Sequence, residues 1–382
     1  MPKPKILTIY GTRPEAIKVA PVIKAIEGSK KLEGIVAVTA QHREMLDQVN
    51  DLFDIVPDHD LNIMGHGQTL NDIAARVIGG VDEILAKTLP DAVIVQGDTT
   101  TVMGAAISAF NRKIPVIHLE AGLRSGNIAS PFPEEANRRL TSQVTTLHLA
   151  PTDTSKQNLL NEGVNAVDIA VTGNTVIDAL LMTVAKNEPF VDPRLEMISS
   201  SGKPVLLVTT HRRENLGNSM QNIGRALGRI ARNNPGHWII FPAHRNPLMR
   251  ETVLPHLVGL QNVTVTEPLG YGEFTRLLSL ARIVLTDSGG VQEEAPSLGK
   301  PVLVMRENTE RPEAVAAGTV RLIGTDEERI VGEAERLIHD EDHFDRMANA
   351  VNPYGDGAAA ARAVAAIEHM FQVGTRLPEF TN

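Results

Sequence analysis

Acids, cations and glycines fall at a few places where short apolar runs end. After Val93-Ile94-Val95 the chain reads Gln96-Gly97-Asp98-Thr99-Thr100-Thr101, and after Val116-Ile117-His118-Leu119 it reads Glu120-Ala121-Gly122-Leu123-Arg124-Ser125. Pro131-Phe132-Pro133-Glu134-Glu135-Ala136-Asn137-Arg138-Arg139 comes next. Asp98 before a helix is an ordinary N-cap, and Glu134 in a first helical turn complements the helix dipole. Glu120, directly at a strand's carboxyl end, is an odd choice for structure, which favours a functional reading over a structural one. Read for function, the three carboxylates lie on neighbouring loops and crowd one cleft, which raises a pKa and equips the site for proton transfer. Gly11-Thr12-Arg13-Pro14-Glu15-Ala16-Ile17-Lys18 sets Arg13 and Lys18 around a helix start. A planar fork and a point charge there suit phosphates or carboxylates, unless the loop is simply solvated with Pro14 opening the helix.

The second half of the chain carries a different chemistry. Ile283-Val284-Leu285-Thr286 leads into Asp287-Ser288-Gly289-Gly290-Val291-Gln292-Glu293-Glu294. Glycines at a helix start let the backbone approach a phosphate, which the free N–H groups then hold. Glu294, one turn on, is placed to accept from ribose hydroxyls. His211-Arg212-Arg213-Glu214 follows another strand and adds cations and a titratable imidazole. Walker A and His-Glu-x-x-His signatures are absent, and Asp58-His59-Asp60 reads as a plain turn rather than a metal site. We therefore expect no metal.

The composition narrows the class. A net charge of −9 makes the chain a poor candidate for nucleic acid, whose affinity comes mostly from Lys and Arg on phosphates. With no cysteine there is no disulfide scaffold, thiolate metal site or thiol nucleophile. No apolar run approaches 18 residues and no signal h-region opens the chain, so we expect no membrane partner and a cytoplasmic location.

The elements that must position these residues alternate along the chain. Buried strands are expected at Ile6–Tyr10, Ile35–Thr39, Ala92–Val95, Val116–Leu119, Leu147–Ala150 and Ile169–Val171. A second series follows at Val205–Thr209, Trp238–Phe241, Val263–Val265, Ile283–Leu285, Val302–Met305 and Val320–Leu322. Helical periodicity fills the gaps, as in Leu70–Leu85 and Val102–Phe110. Strand–helix alternation implies parallel sheets with helices on both faces, and 382 residues suit two such domains. The expected division is an N-terminal domain over 1–186, a C-terminal one over 187–357, and a final helical segment, 358–382. In open parallel sheets ligands bind at the carboxyl ends of the strands, where all the loops above lie.

Gly11-Thr12-Arg13-Pro14-Glu15-Ala16-Ile17-Lys18, Gly97-Asp98-Thr99-Thr100-Thr101, Glu120-Ala121-Gly122-Leu123-Arg124, Pro133-Glu134-Glu135-Ala136-Asn137-Arg138, His211-Arg212-Arg213-Glu214-Asn215, Thr286-Asp287-Ser288-Gly289-Gly290-Val291-Gln292-Glu293-Glu294 and Thr309-Glu310-Arg311-Pro312-Glu313 together resemble the non-hydrolysing bacterial UDP-N-acetylglucosamine 2-epimerases. The resemblance runs in order from Lys5 to about Gly357. It implies two Rossmann-like α/β domains facing a central cleft, of glycosyltransferase B type, with the last helix returning to the first domain. It implies reversible conversion of UDP-GlcNAc to UDP-ManNAc by elimination of UDP to 2-acetamidoglucal and re-addition. A homodimer without cofactor, supplying ManNAc for cell-surface polysaccharide, goes with it. Carried over by position, Asp98, Glu120, Glu134 and His211 are the catalytic set. Arg13, Lys18, Phe274, Ser288, Gly289, Gly290, Glu294 and Arg311 are substrate contacts. Gln41, Arg212, Arg213 and His244 match a second, allosteric nucleotide-sugar site of some members. Leu269 stands where some relatives have Gln, and Gly67 where the regulated ones have Arg. The rival readings are a retaining UDP-sugar glycosyltransferase, a hydrolysing epimerase and a non-catalytic nucleotide-sugar sensor.

Overall fold

The short apolar runs become strands, and the central ones are buried on both faces, which is why those runs read as continuous rather than alternating hydrophobicity. The computed structural model describes residues 2–39, 43–63, 65, 67–212, 215, 217–309 and 311–381. The chain divides into two α/β units. One runs to Met182 and takes in Tyr354–Thr381, and the other is Thr183–Pro353.

The strands of the first unit are β1 (Lys5–Tyr10), β2 (Glu33–Val38), β3 (His59–Asp60), β4 (Ala92–Gln96), β5 (Val116–Leu119), β6 (Leu147–Ala150) and β7 (Ile169–Val171). They form one parallel sheet in the order β3-β2-β1-β4-β5-β6-β7. Helices Leu70–Thr88 and Thr100–Asn111 cover one face, with Val77, Val81, Leu85, Val102 and Ala105 against Leu7, Ile9, Val93 and Val95. Each such fully buried Val, Leu or Ile contributes about 1.5–3 kcal/mol. The edge strand β3 corrects the sequence expectation. Asp58-His59-Asp60 is not a plain turn: Ala37 pairs with His59 and Val38 with Asp60. Two residues carry no periodicity to read. Asp58 instead accepts the Val36 N–H at 2.8 Å, and Asp60 pairs with Arg43, so this edge is held by side chains.

The chain returns to this unit at its end. Asn174 N–H donates to Tyr354 O at 2.7 Å, and helix Ala359–Met370 starts on the buried Asp178 carboxylate, which accepts from the Ala359 and Ala360 N–H groups at 3.2 and 2.8 Å. Burial pushes the Asp178 carboxyl up, and those two bonds pull against it.

The second unit holds β8 (Val205–Thr209), β9 (Trp238–Pro242), β10 (Val263–Thr266), β11 (Ala281–Thr286), β12 (Val302–Val304) and β13 (Val320–Leu322), parallel in the order β10-β9-β8-β11-β12-β13. Helix Asn218–Asn233 buries Met220, Ile223, Leu227, Ile230 and Ala231, spaced as one helical stripe, against Leu206, Val208, Phe241, Ile283 and Leu285. No helix among the described residues is long and apolar enough to cross a membrane. The strand order reverses between β1 and β4 in one sheet and between β8 and β11 in the other. At such switch points neighbouring loops diverge and leave room for a ligand.

A buried histidine pair gives the first unit a pH dependence. His118 on β5 and His148 on β6 are register partners, 1% and 2% exposed. Burial pushes His118 down to about 4 and His148 down to about 3. Both values lie below the 6.5 of an unfolded histidine, so the unfolded chain takes up protons first. The stabilisation is complete above about pH 6.5 and is lost as pH falls toward 4, at roughly 1.4 kcal/mol per pH unit per histidine. Urea unfolding between pH 7 and pH 4.5 should therefore show a steep loss of stability that His148→Leu reduces by about half. Equal slopes in the two proteins would mean that other groups carry the acid sensitivity.

Candidate functional site

At the first switch point one carboxylate joins both loops. Glu15, in the first turn of helix Arg13–Gly28, is 2% exposed. Its Oε2 accepts the N–H groups of Gly11 at 2.6 Å and Thr12 at 2.8 Å, and its Oε1 accepts from the Thr99 hydroxyl on the loop after β4. Burial pushes the Glu15 carboxyl up, and these bonds oppose it. A side chain at position 11 has no room, since a Cβ would lie 2.1 Å from the Thr39 hydroxyl oxygen.

Asp98 sits beside Thr99. Arg138 donates to its Oδ2 from Nε at 2.9 Å and from Nη2 at 2.7 Å, and Asn137 holds its backbone oxygen at 2.8 Å. Arg138 is itself braced by Glu135, which is fully buried and also accepts from Ser125 N–H and Arg139. Burial alone would raise the Glu135 carboxyl, but these donors outweigh it and hold the group below its ordinary range.

Glu120 follows β5 with φ at +64°, left-handed backbone that costs a β-carbon residue about 1–3 kcal/mol. The strain is retained because three side chains fix the carboxylate. Lys18 Nζ and Gln96 Nε2 donate at 2.5 Å each and Asn174 Nδ2 at 3.1 Å. Glu120 thus joins the helix after β1, strand β4 and the turn after β7. Glu134 opens helix Glu134–Val144, half-buried, with no side-chain hydrogen bond or ion pair recorded among the described residues. Arg13 is likewise half-buried and without an ion pair among the described residues.

In the second unit Asp287, directly after β11, takes the same joining role. It is fully buried and accepts from the Thr210 hydroxyl, the N–H groups of His211 and Arg212 and the Asn215 amide, at 3.0–3.1 Å. His211 Nδ1 lies 3.1 Å from its Oδ1. Burial would raise this carboxyl too, yet the donors, His211 first, hold it below its ordinary range. Ser288, Gly289 and Gly290 continue into helix Gly289–Glu294, and Arg212 Nη2 reaches to 3.6 Å from where a Gly289 Cβ would stand.

The substrate positions read from sequence are only partly brought together. Lys18 is on Glu120 and His211 is beside Ser288's loop. Glu294 is buried and accepts from the Tyr271 hydroxyl at 2.9 Å. Arg311 is ion-paired with Glu293. Phe274 is half-buried on helix Tyr271–Leu280. His244 is exposed at the end of β9, its ring centroid 6.4 Å from that of His211, while Gln41 and Arg213 lie outside the described residues. Glu15 and Asp287 are the residues that sequence reasoning passed over. Each stood in a quoted motif, and the signal was an acid four residues past a glycine turn or directly after a strand.

A sequence profile described as UDP-N-acetylglucosamine 2-epimerase matches residues 24–368. An Escherichia coli (strain K12) protein named UDP-N-acetylglucosamine 2-epimerase is 51% identical over 378 residues, covering 96% of this chain and 98% of that protein. A solved Listeria monocytogenes structure, provisionally assigned the same activity, aligns with a TM-score of 0.94 and 46% identity over 100% of both chains. The Neisseria meningitidis UDP-GlcNAc 2-epimerase, solved bound to UDP-GlcNAc, aligns with a TM-score of 0.82 and 46% identity over 96% of this chain and 100% of that one. A Rickettsia africae glycosyltransferase, 12% identical with a TM-score of 0.62, shares the fold alone. The chain belongs to the UDP-N-acetylglucosamine 2-epimerase family.

The tie made by Glu15 can be measured. Glu15→Ala strands two backbone N–H groups and a hydroxyl, and should cost about 2–4 kcal/mol in urea unfolding. Arg13→Ala, two positions away, should cost less than about 0.5 kcal/mol. Similar losses from both would mean that the loops are not held by the carboxylate.

Proposed function

We propose that this member of the UDP-N-acetylglucosamine 2-epimerase family interconverts UDP-GlcNAc and UDP-ManNAc by eliminating UDP and adding it back. The observation that carries the reading is Glu120. A strained backbone presents its carboxylate at the carboxyl end of β5, and Lys18, Gln96 and Asn174 hold it in one orientation. Strain of this kind persists only where surrounding contacts over-determine a residue, and such residues cluster at active sites.

The chemistry follows from the substrate. C2 of the pyranose is not next to a carbonyl, so its proton is too weakly acidic to be removed alone. If a carboxylate takes it while the C1–O bond breaks, the C2–H electron pair becomes the C1–C2 double bond. The C1–O pair leaves with UDP, and 2-acetamidoglucal remains. Re-addition of UDP at C1, with a proton delivered to the other face of C2, gives the epimer. Electrons balance without an oxidant or reductant. The step needs proton-transfer groups on both faces, for which Asp98, Glu120 and Glu134 are the candidates. It also needs cations and dipoles where leaving-group charge develops, for which Arg13, Lys18, Arg311, His211, Ser288 and the Gly289-Gly290 backbone are the candidates. Glu294 would take the ribose and Phe274 would pack against the nucleoside. By the same resemblance we infer a homodimer, a cytoplasmic location and a supply of ManNAc units to surface polysaccharide. Arg212 and His244, with Gln41 and Arg213, are the candidates for a second nucleotide-sugar contact.

Proton NMR of UDP-GlcNAc with the pure protein in D2O tests the reaction. UDP-ManNAc should appear with deuterium at C2, and slow release of UDP and 2-acetamidoglucal should accompany it. Free ManNAc would indicate a hydrolysing enzyme instead, and protium fully retained at C2 would falsify solvent-exchanging elimination. Asp98→Asn, Glu120→Gln and Glu134→Gln should each lower turnover by about 100-fold or more while UDP binding is kept. Near-normal turnover in all three would remove the carboxylates from the mechanism.

A further inference from the structure

The donor and acceptor pattern around Asp287 has a consequence for how the second unit meets an anion. Among the described residues, every contact of the Asp287 carboxylate is with a donor or a ring nitrogen: the Thr210 hydroxyl, two backbone N–H groups, the Asn215 amide and the His211 ring. A carboxyl group so surrounded is an acceptor only, which is its ionised form. His211 Nδ1 lies 3.1 Å from Oδ1, and a ring nitrogen that close to an ionised carboxylate carries the hydrogen rather than a lone pair. The neutral imidazole has one N–H, and here it is spent on Asp287. Nε2 is left as a lone pair, with no hydrogen-bond partner recorded among the described residues.

A phosphate oxygen brought to Nε2 would meet that lone pair, anion against acceptor. Rotating the ring to offer Nδ1–H instead would take a donor away from a fully buried carboxylate. The remaining solution is a second proton on the ring. We propose that His211 holds the diphosphate of a uridine nucleotide as an imidazolium, so that binding takes up a proton, and that Asp287 is the positioning residue that imposes this. The inference rests on the reading above, in which His211 contacts the diphosphate, and it adds the protonation state of that contact. The imidazolium would then sit between two anions, Asp287 on one nitrogen and the leaving diphosphate on the other. This is the arrangement in which a buried carboxylate stabilises a charged histidine in other active sites. Among the described residues, the other charged or titratable groups beside the ring are Arg212, the next residue on the same loop, and His244, just past β9, whose ring centroid is 6.4 Å from that of His211. Both are basic, so neither replaces Asp287 as counter-charge.

The probe is UDP at pH 8, where an ordinary imidazole is neutral and the terminal phosphate is fully ionised. Titration calorimetry in Tris and in HEPES, whose ionisation heats differ, should show uptake of about one proton per UDP bound. His211→Gln should weaken UDP about 10-fold and abolish the uptake. Unchanged affinity in His211→Gln would overturn the contact itself. Weakened affinity with no proton uptake in the wild type would overturn the inference alone. Uptake that persists in His211→Gln would do the same, because another group would then carry the proton. Asp287→Asn, which removes the acceptor and keeps the volume, should lose the uptake if it folds by circular dichroism; retained uptake would remove Asp287 from the argument. A measurement on the wild type stands independently of that variant. Ring 15N spectra of the ligand-free protein should place the His211 proton on Nδ1, with the signal identified by its loss in His211→Gln. A proton on Nε2 would overturn the proposal.

Discussion

A buried carboxylate at each switch point is the constraint on which the rest of both candidate sites depends. Glu15 gathers the loop after β1 and reaches the loop after β4. Asp287 stands on the loop after β11 and gathers the loop after β8. Parallel strands that diverge at a switch point leave their following loops without a shared ladder of hydrogen bonds. A carboxylate can replace that ladder, because it accepts several N–H and O–H bonds at once and each bond to a charged group is strong. The cost is desolvation, several kcal/mol for an ion taken out of water, so the net stabilisation is small and the gain lies in fixed geometry.

The two tethers are not equivalent, and the donors around them explain why. Glu15 has two backbone N–H groups and a hydroxyl, and burial wins, pushing its carboxyl up. Asp287 has the His211 ring beside further backbone and side-chain donors, and these win, holding its carboxyl down. The first is a structural tie between loops. The second is an ion 3.1 Å from the His211 imidazole, so the local fold of the second unit also positions a candidate ligand group.

Around the first tether the acids differ in how firmly they are held. Glu120 has a strained backbone and three fixed donors, Asp98 has the Arg138 fork, and Glu134 is the least restrained. An acid and a base that work in alternation need different surroundings, since identical ones would share one protonation state. His118, two residues before Glu120, donates its Nε2–H to the Gly97 carbonyl oxygen at 2.7 Å and so links β5 to the turn that carries Asp98. Its neutral form belongs to the folded state, which ties the integrity of this edge of the sheet to pH.

Much of this architecture is written in local pattern. Short, mostly apolar runs such as Val116–Leu119 and Ile283–Leu285 marked the strands, the second of which extends in the structure over Ala281–Thr286. Helical stripes marked the covering layers, and alternation made the sheets parallel, because a parallel return needs a crossover. The chemistry-bearing loops were legible for the same reason, since each follows a run that could only be a buried strand. What the sequence could not supply was pairing over distance. The edge strand His59–Asp60 exists because β2 offers it a partner. Arg311 meets Glu293 across 18 positions, Lys18 meets Glu120 across 102, and His211 meets Asp287 across 76. Residue type and local spacing determine which groups stand at a strand's end. Which donor faces which acceptor, and therefore which carboxylate is tied by several donors and which by few, is decided only when the sheet sets distant loops side by side.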